Sequence, residues 1–162
     1  MNRSNYILFS FFALSIVVIS CRKNTPDNTQ YSSEAISRVF GNTIDINNPE
    51  NYANQNILSY ILAENGQNNP IDDRKATWGR VLFYDKKLRI NNTISCGSCH
   101  QQQFAFSDTA RQSTGVNGVT NRHSMRLINT RFARESKFFW NERAASLETQ
   151  TTMPIQDHAE MG

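Results

Sequence analysis

Cysteine is scarce, with three in 162 residues, too few for a disulfide scaffold. No run of five or more Lys or Arg occurs, and the formal charge is only +3, so there is no basic arm and no nucleic-acid partner is expected. The mean hydropathy of −0.56 excludes a multi-spanning membrane protein. No internal repeat is visible, and no β-type alternation persists beyond a few residues. What remains is one domain, or one domain plus a leader, mainly α with long loops. Such a polar chain builds only a thin core, which a large apolar cofactor would complete.

The one long apolar run is YILFSFFALSIVVI, residues 6–19, preceded by Arg3. It is short for a transmembrane helix and has the layout of an export signal. Val18-Ile19-Ser20-Cys21 resembles the bacterial lipobox, which makes residues 1–20 a signal peptide and Cys21 a lipidated N-terminus. The alternative is an uncleaved N-terminal anchor. Either way the rest lies outside the cytoplasmic membrane, held to it at the N-terminus, and a periplasmic lipoprotein is the expectation.

Residues 22–33 are polar and read as a tether. Residues 34–71 scatter apolar positions among many Asn and are expected to wrap over the domain rather than form its core. The cluster Ile57, Leu58, Tyr60, Ile61 and Leu62 reads as a helical turn or two, broken by Asn68-Asn69-Pro70. From Asp72 to Asp85, an aspartate cap followed by Trp78, Val81 and Leu82 predicts a helix. Residues 107–121 are rich in Ser, Thr, Gly and Asn and read as loop. A second helical pattern covers about 122–133. A third runs from near Glu142 to Thr151 and is closed by Pro154.

Cys96-Gly97-Ser98-Cys99-His100 is the sharpest signal. C-x-x-C-H is the attachment sequence of c-type haem. Two thiols at this spacing reach the two vinyl groups of one porphyrin edge, and the next residue supplies the proximal imidazole. A redox C-x-x-C pair would need a βαβ setting that is not seen. A structural zinc would need a second ligand pair, which is missing. Cys96 and Cys99 are therefore the covalent anchors of haem c, and His100 the iron ligand.

The other face of the iron decides the function. Met125, Met153, Met161, His123 and His158 are candidate sixth ligands. A bound methionine would make the chain a single-haem, lipid-anchored electron carrier.

Four stretches carry a resemblance: WGRVLFYD (78–85), ISCGSCHQQQFAFSD (94–108), FFWNERAASLETQ (138–150) and PIQDHAEMG (154–162). Together they resemble the N-terminal haem domain of bacterial di-haem cytochrome c peroxidases, a family that includes MauG-type enzymes. The resemblance covers residues 72–162 and implies a cytochrome c-like α-helical domain. It implies that Glu160 is the distal carboxylate handling peroxide protons, Gln150 its pocket neighbour, and Trp140 an electron relay between two haems. It implies reduction of hydrogen peroxide by electrons from a small donor such as a cytochrome c or cupredoxin. MauG-like oxidation is the alternative within the family.

Three departures stand out. Where some members carry a displaceable His, this chain has Val116, which cannot ligate iron; an open, high-spin haem follows as an expectation. His123 stands where the family often has an Asn near an interdomain calcium. This weakens the calcium expectation and suggests packing near a domain interface. The sequence also stops before a second C-x-x-C-H, so residues 72–162 read as one domain of two, with one haem here and two in the complete protein. A homodimer is compatible with the resemblance.

Overall fold

The computed structural model describes residues 32–162, apart from Gln67 and Ser136. The expected signal peptide, the lipobox-like stretch with Cys21 and nearly all of the expected tether lie outside the described residues. Among the described residues, four α-helices dominate the regular structure: α1 (Ser33–Phe40), α2 (Asp73–Tyr84), α3 (Cys96–Cys99) and α4 (Leu147–Gln156). The strand content of the described residues is one small antiparallel hairpin, β1 (Thr114–Gly115) with β2 (Gly118–Val119), in the register Gly115 to Gly118. The architecture is mainly α, with long loops.

Helix α2 forms as its sequence predicts. Asp72 caps it, its carboxylate accepting from the Lys75 amide at 2.8 Å, which satisfies one of the four orphan amides of a helix start. Thr77 and Val81, four residues apart, fall on its buried face. Asp73 has a second task. Its carboxylate accepts from the amides of Tyr52 (2.7 Å) and Ala53 (2.8 Å), tying the irregular N-terminal segment to the helix.

That segment does more than wrap. Ser32 caps α1, and Ile36 and Ile44 join Val81 in a buried cluster against which Phe40, Ile46 and Trp78 pack. Residues 34–71 therefore supply four of the cluster's six members, which corrects the expectation that they stay outside the core. The cluster at 57–62 is not helical. It holds one turn, Ile61 N–H to Leu58 O at 2.9 Å, and Tyr60 and Leu62 lie exposed.

The helix expected over 122–133 is absent apart from a 3-10 turn at Thr130–Phe132. The reason is competition for carbonyls. Those of residues 122, 123 and 124 accept from the Thr120 hydroxyl (2.7 Å), the Trp140 indole (3.1 Å) and the Ser107 hydroxyl (2.6 Å), so side chains from elsewhere replace the i to i+4 ladder. Helix α4 begins at Leu147 rather than near Glu142. Residues 138 and 144 form an antiparallel bridge first, and Ser146 provides the cap, accepting from the Thr149 amide at 3.2 Å. Pro154 lies inside α4 instead of closing it. The helix continues about half a turn and ends where the Asp157 amide reaches the Pro154 carbonyl, three residues back, at 3.3 Å.

Few large side chains are fully buried among the described residues; Met161 is the one apolar example. So little buried apolar surface suits a fold completed by a large apolar group.

Candidate haem site

Helix α3 is a single turn bearing both motif cysteines. Three residues apart, they share one face. Both are free thiols and partly buried. Ser98 closes the turn by accepting from the Ser95 amide at 2.9 Å. Gly97 sits where a Cβ would come within 2.8 Å of the Tyr84 ring, so α3 is pressed against the end of α2. Burial pushes both thiols above their ordinary pKa, with Arg89 opposing. They are therefore held as S–H, the form that adds across a vinyl group to give a thioether.

His100 follows immediately. Its Nδ1 lies 2.9 Å from the Phe106 carbonyl and 3.1 Å from the Ser124 hydroxyl. A carbonyl only accepts, so Nδ1 carries the proton and Nε2 is left as the lone-pair nitrogen, the second-sphere arrangement of a metal-binding imidazole. The Phe106 carbonyl is held in place by a tight loop. Ala105 and Phe106 both have positive φ (59° and 57°), and the Gln101 amide bonds to the Ser107 carbonyl at 2.8 Å. Two consecutive left-handed non-glycine residues are costly; here they aim one carbonyl at the histidine.

Glu160 sits in a turn fastened from two sides. The Asp157 carboxylate accepts from the amides of Ala159 (2.9 Å) and Glu160 (3.1 Å). The tip of the β1–β2 hairpin donates from the Val116 amide to the Glu160 carbonyl (3.1 Å) and from the Asn117 side chain to the His158 carbonyl (2.7 Å). The same hairpin reaches the motif, because the Thr114 carbonyl accepts from the Cys99 thiol at 3.5 Å. It thus connects α3 with the Glu160 turn. Val116, whose side chain cannot bind iron, serves there through its backbone. Burial, with the Asp157 charge adding to it, pushes the Glu160 carboxyl above its ordinary pKa, while Arg143 and Arg89 pull it back.

Gln150 lies half-buried on α4, one helical stretch before the Glu160 turn. Trp140 is 59% exposed, fixed by its indole bond to the His123 carbonyl. His123 is removed from the candidate sixth ligands. Its Nε2 meets the Ser107 hydroxyl (2.9 Å), and its Nδ1 meets the Ala110 carbonyl (2.7 Å) and Asp108 (3.2 Å). Both nitrogens are engaged beside the loop that holds His100 Nδ1. His158 is exposed.

Four contributors escaped the sequence reading: the Phe106 carbonyl, Ser124, Asp157 and Arg89. Asp157 alone had a local signal, an Asp two residues before an amide that needs an acceptor. The donor set as a whole suits a covalently held haem: two neutral thiols on one face, an imidazole with Nε2 free, and little core without a large apolar group.

Residues 73–162 match the profile of the di-haem cytochrome c peroxidase family. The chain belongs to this family. Among similar proteins, the methylamine utilization protein MauG of Methylorubrum extorquens is 33% identical over 94 residues, covering 57% of this chain and 26% of that protein. The cytochrome c peroxidase Ccp of Escherichia coli is 33% identical over 93 residues, covering 57% of this chain and 20% of its own length. A crystal structure of a MauG-like protein associated with microbial copper homeostasis superposes with a TM-score of 0.61 at 34% identity, over 67% of this chain and 32% of that one. The chain thus spans roughly a quarter of the length of the curated relatives it matches. Membership in this family of haem-dependent oxidoreductases implies haem c as the cofactor.

Proposed function

We propose that this member of the di-haem cytochrome c peroxidase family is the peroxide-reducing haem domain of an exported, lipid-anchored enzyme. The complete reaction is hydrogen peroxide plus two electrons and two protons giving two waters. Haem, when bound, supplies a redox-active iron that coordinates peroxide and passes electrons to it. Cys96 and Cys99 hold the group by thioethers, and His100 offers Nε2 to the metal. The observation that carries the reading is the Nδ1 anchor of His100 on the Phe106 carbonyl, which leaves one defined nitrogen for iron and favours oxidised states through its basicity.

Glu160 supplies the proton chemistry. Its carboxylate takes the proton from the oxygen of peroxide that binds first and returns it to the oxygen that departs. A carboxyl with a raised pKa is suited to both halves of that cycle, since it is neither too weak an acid to give the proton back nor too weak a base to accept it. Gln150 is assigned the neighbouring position in that pocket. Trp140, exposed and tied to the backbone beside Ser124, is assigned to electron entry from a second haem domain. A small cytochrome c or cupredoxin is the outside donor, Cys21 carries the lipid, and the compartment is the periplasm.

The similarity to MauG proteins favours a second reading in which the same site oxidises a protein or small-molecule substrate. An optical and spin-resonance titration of the haem-loaded protein with peroxide, with and without an electron donor, separates the two. Rapid donor-dependent turnover supports the peroxidase, whereas a long-lived oxidised state indifferent to small donors supports the oxidase. Glu160→Gln is expected to reduce peroxide turnover about 10²–10⁴-fold, the range for loss of a general acid–base, with haem content intact. Unchanged turnover would remove Glu160 from the mechanism.

A further inference from the structure

Arg89 lies between the motif cysteines and the Glu160 turn. The chain leaves a 3-10 turn at Lys86–Leu88, and the Ile90 amide approaches the Met161 carbonyl at 3.5 Å, so residues 89–90 run beside 160–162. Arg89 is only 7% exposed. Its Nε and Nη1 are buried and have no hydrogen-bond partner. Its guanidinium lies close enough to Cys96, Cys99 and Glu160 to sense their charges. The other buried side-chain polar atoms without partners, among the described residues, are single atoms of Ser113 and Arg131, and Arg131 is paired with Glu64.

A buried cation with two idle donors calls for an acceptor. The cysteines cannot be that acceptor in the mature protein, because thioether sulfur carries no charge and accepts weakly. Two sources of oxyanion remain: a haem propionate, or a small anion on the side where Glu160 stands. Covalent chemistry separates them. The vinyl carbons that become thioethers lie on the porphyrin edge opposite the propionates. A guanidinium beside Cys96 is therefore at the wrong edge for a propionate.

We propose that Arg89 is an oxyanion-binding residue on the Glu160 side of the haem position, taking a small anion such as hydroperoxide through Nε and Nη1. This rests on the reading of the Glu160 side as the substrate side. It gives the pocket a fixed positive charge to oppose the negative charge that builds on oxygen as peroxide is deprotonated and split. Glu160 moves the proton; Arg89 holds the anion.

The test is an optical titration of the ferric, haem-loaded full chain with sodium fluoride, with the haem midpoint potential measured alongside. Arg89→Met is expected to weaken fluoride binding about ten- to a hundred-fold, the scale of a lost charged hydrogen bond, and Arg89→Lys to retain part of the affinity. Wild-type fluoride affinity in Arg89→Met would overturn the proposal. So would a changed midpoint potential with unchanged fluoride affinity, which is the signature of a propionate contact. If Arg89→Met fails to load haem, Arg89→Gln is read in the same titration, and wild-type affinity there overturns the proposal equally. Peroxide turnover of Glu160→Gln is scored separately. Full turnover in that variant with weakened fluoride binding in Arg89→Met would discard the peroxidase reading while leaving the anion site in place.

Discussion

Replacing Gly115 by alanine should dislodge Glu160 without touching it. Gly115 has no positive φ to protect; its need is for space. A Cβ there would fall inside the van der Waals envelope of the Ala159 carbonyl oxygen, 2.8 Å from the Ala159 carbonyl carbon and 3.1 Å from the Glu160 Cα. These are backbone atoms, which cannot swing aside as the end of a side chain would. Ordinary contact begins at 3.4 Å, so the hairpin and the 157–160 turn must part by at least about 0.6 Å. Three hydrogen bonds cross that seam: Val116 to Glu160, Asn117 to Ala159, and the Asn117 side chain to His158. At about 1 kcal/mol net each, their loss sets a ceiling of roughly 3 kcal/mol on the destabilisation. The effect on catalysis should be larger in proportion, because a misplacement of about 1 Å can cost about 10²-fold. The assay is peroxide turnover of the haem-loaded protein, with thermal melting followed by circular dichroism. Gly118→Ala is the control: Gly118 has φ 111° but nothing within 4 Å of its Cβ position, so it strains the turn without opening the seam. If Gly115→Ala keeps both its melting temperature and its turnover, the hairpin does not position Glu160.

Other outcomes follow from the same contacts. Ser124→Ala removes one of the two oxygens at His100 Nδ1, making the imidazole less basic; the haem midpoint potential should rise in an optical redox titration, and a fall would contradict the arrangement. The raised pKa of Glu160 means the folded state holds this proton more tightly than the unfolded chain. Its contribution to stability is full below the unfolded pKa and is lost as pH rises through the folded one. Glu160→Gln should flatten that part of the stability–pH curve in denaturant titrations, and an unaltered slope would show that the carboxyl is not desolvated. Replacing both Cys96 and Cys99 by serine prevents covalent haem attachment, and the protein should lose its cooperative melt and near-ultraviolet dichroism; a melt equal to that of the haem-loaded form would show that the side-chain core suffices.

Some of this was legible from residues alone, because the signals were local. Asp72 before apolar residues at 78, 81 and 82 is a complete helix instruction within about ten residues, and α2 forms where it says. The five-residue haem motif is equally self-contained. The failures share a cause of the opposite kind. Residues 122–133 have helical spacing, but three of their carbonyls are claimed by Ser107, Thr120 and Trp140, and no helix-length stretch around the segment contains all three donors. Ile36 and Ile44 carry no local sign of burial because their partner, Val81, lies some forty residues away. Arg89 carries no local signal, and only folding brings it beside Cys96 and the Glu160 turn. The Phe106 contribution is invisible in principle, since every residue has a carbonyl.

That last contact bears on how such a protein tolerates change. What steadies His100 at Nδ1 is peptide oxygen, present whatever residue occupies position 106. Point mutation there alters a side chain but cannot delete the acceptor. The hold on the ligand is inherited with the path of the loop, and a catalogue of essential residues drawn up by substitution would overlook it.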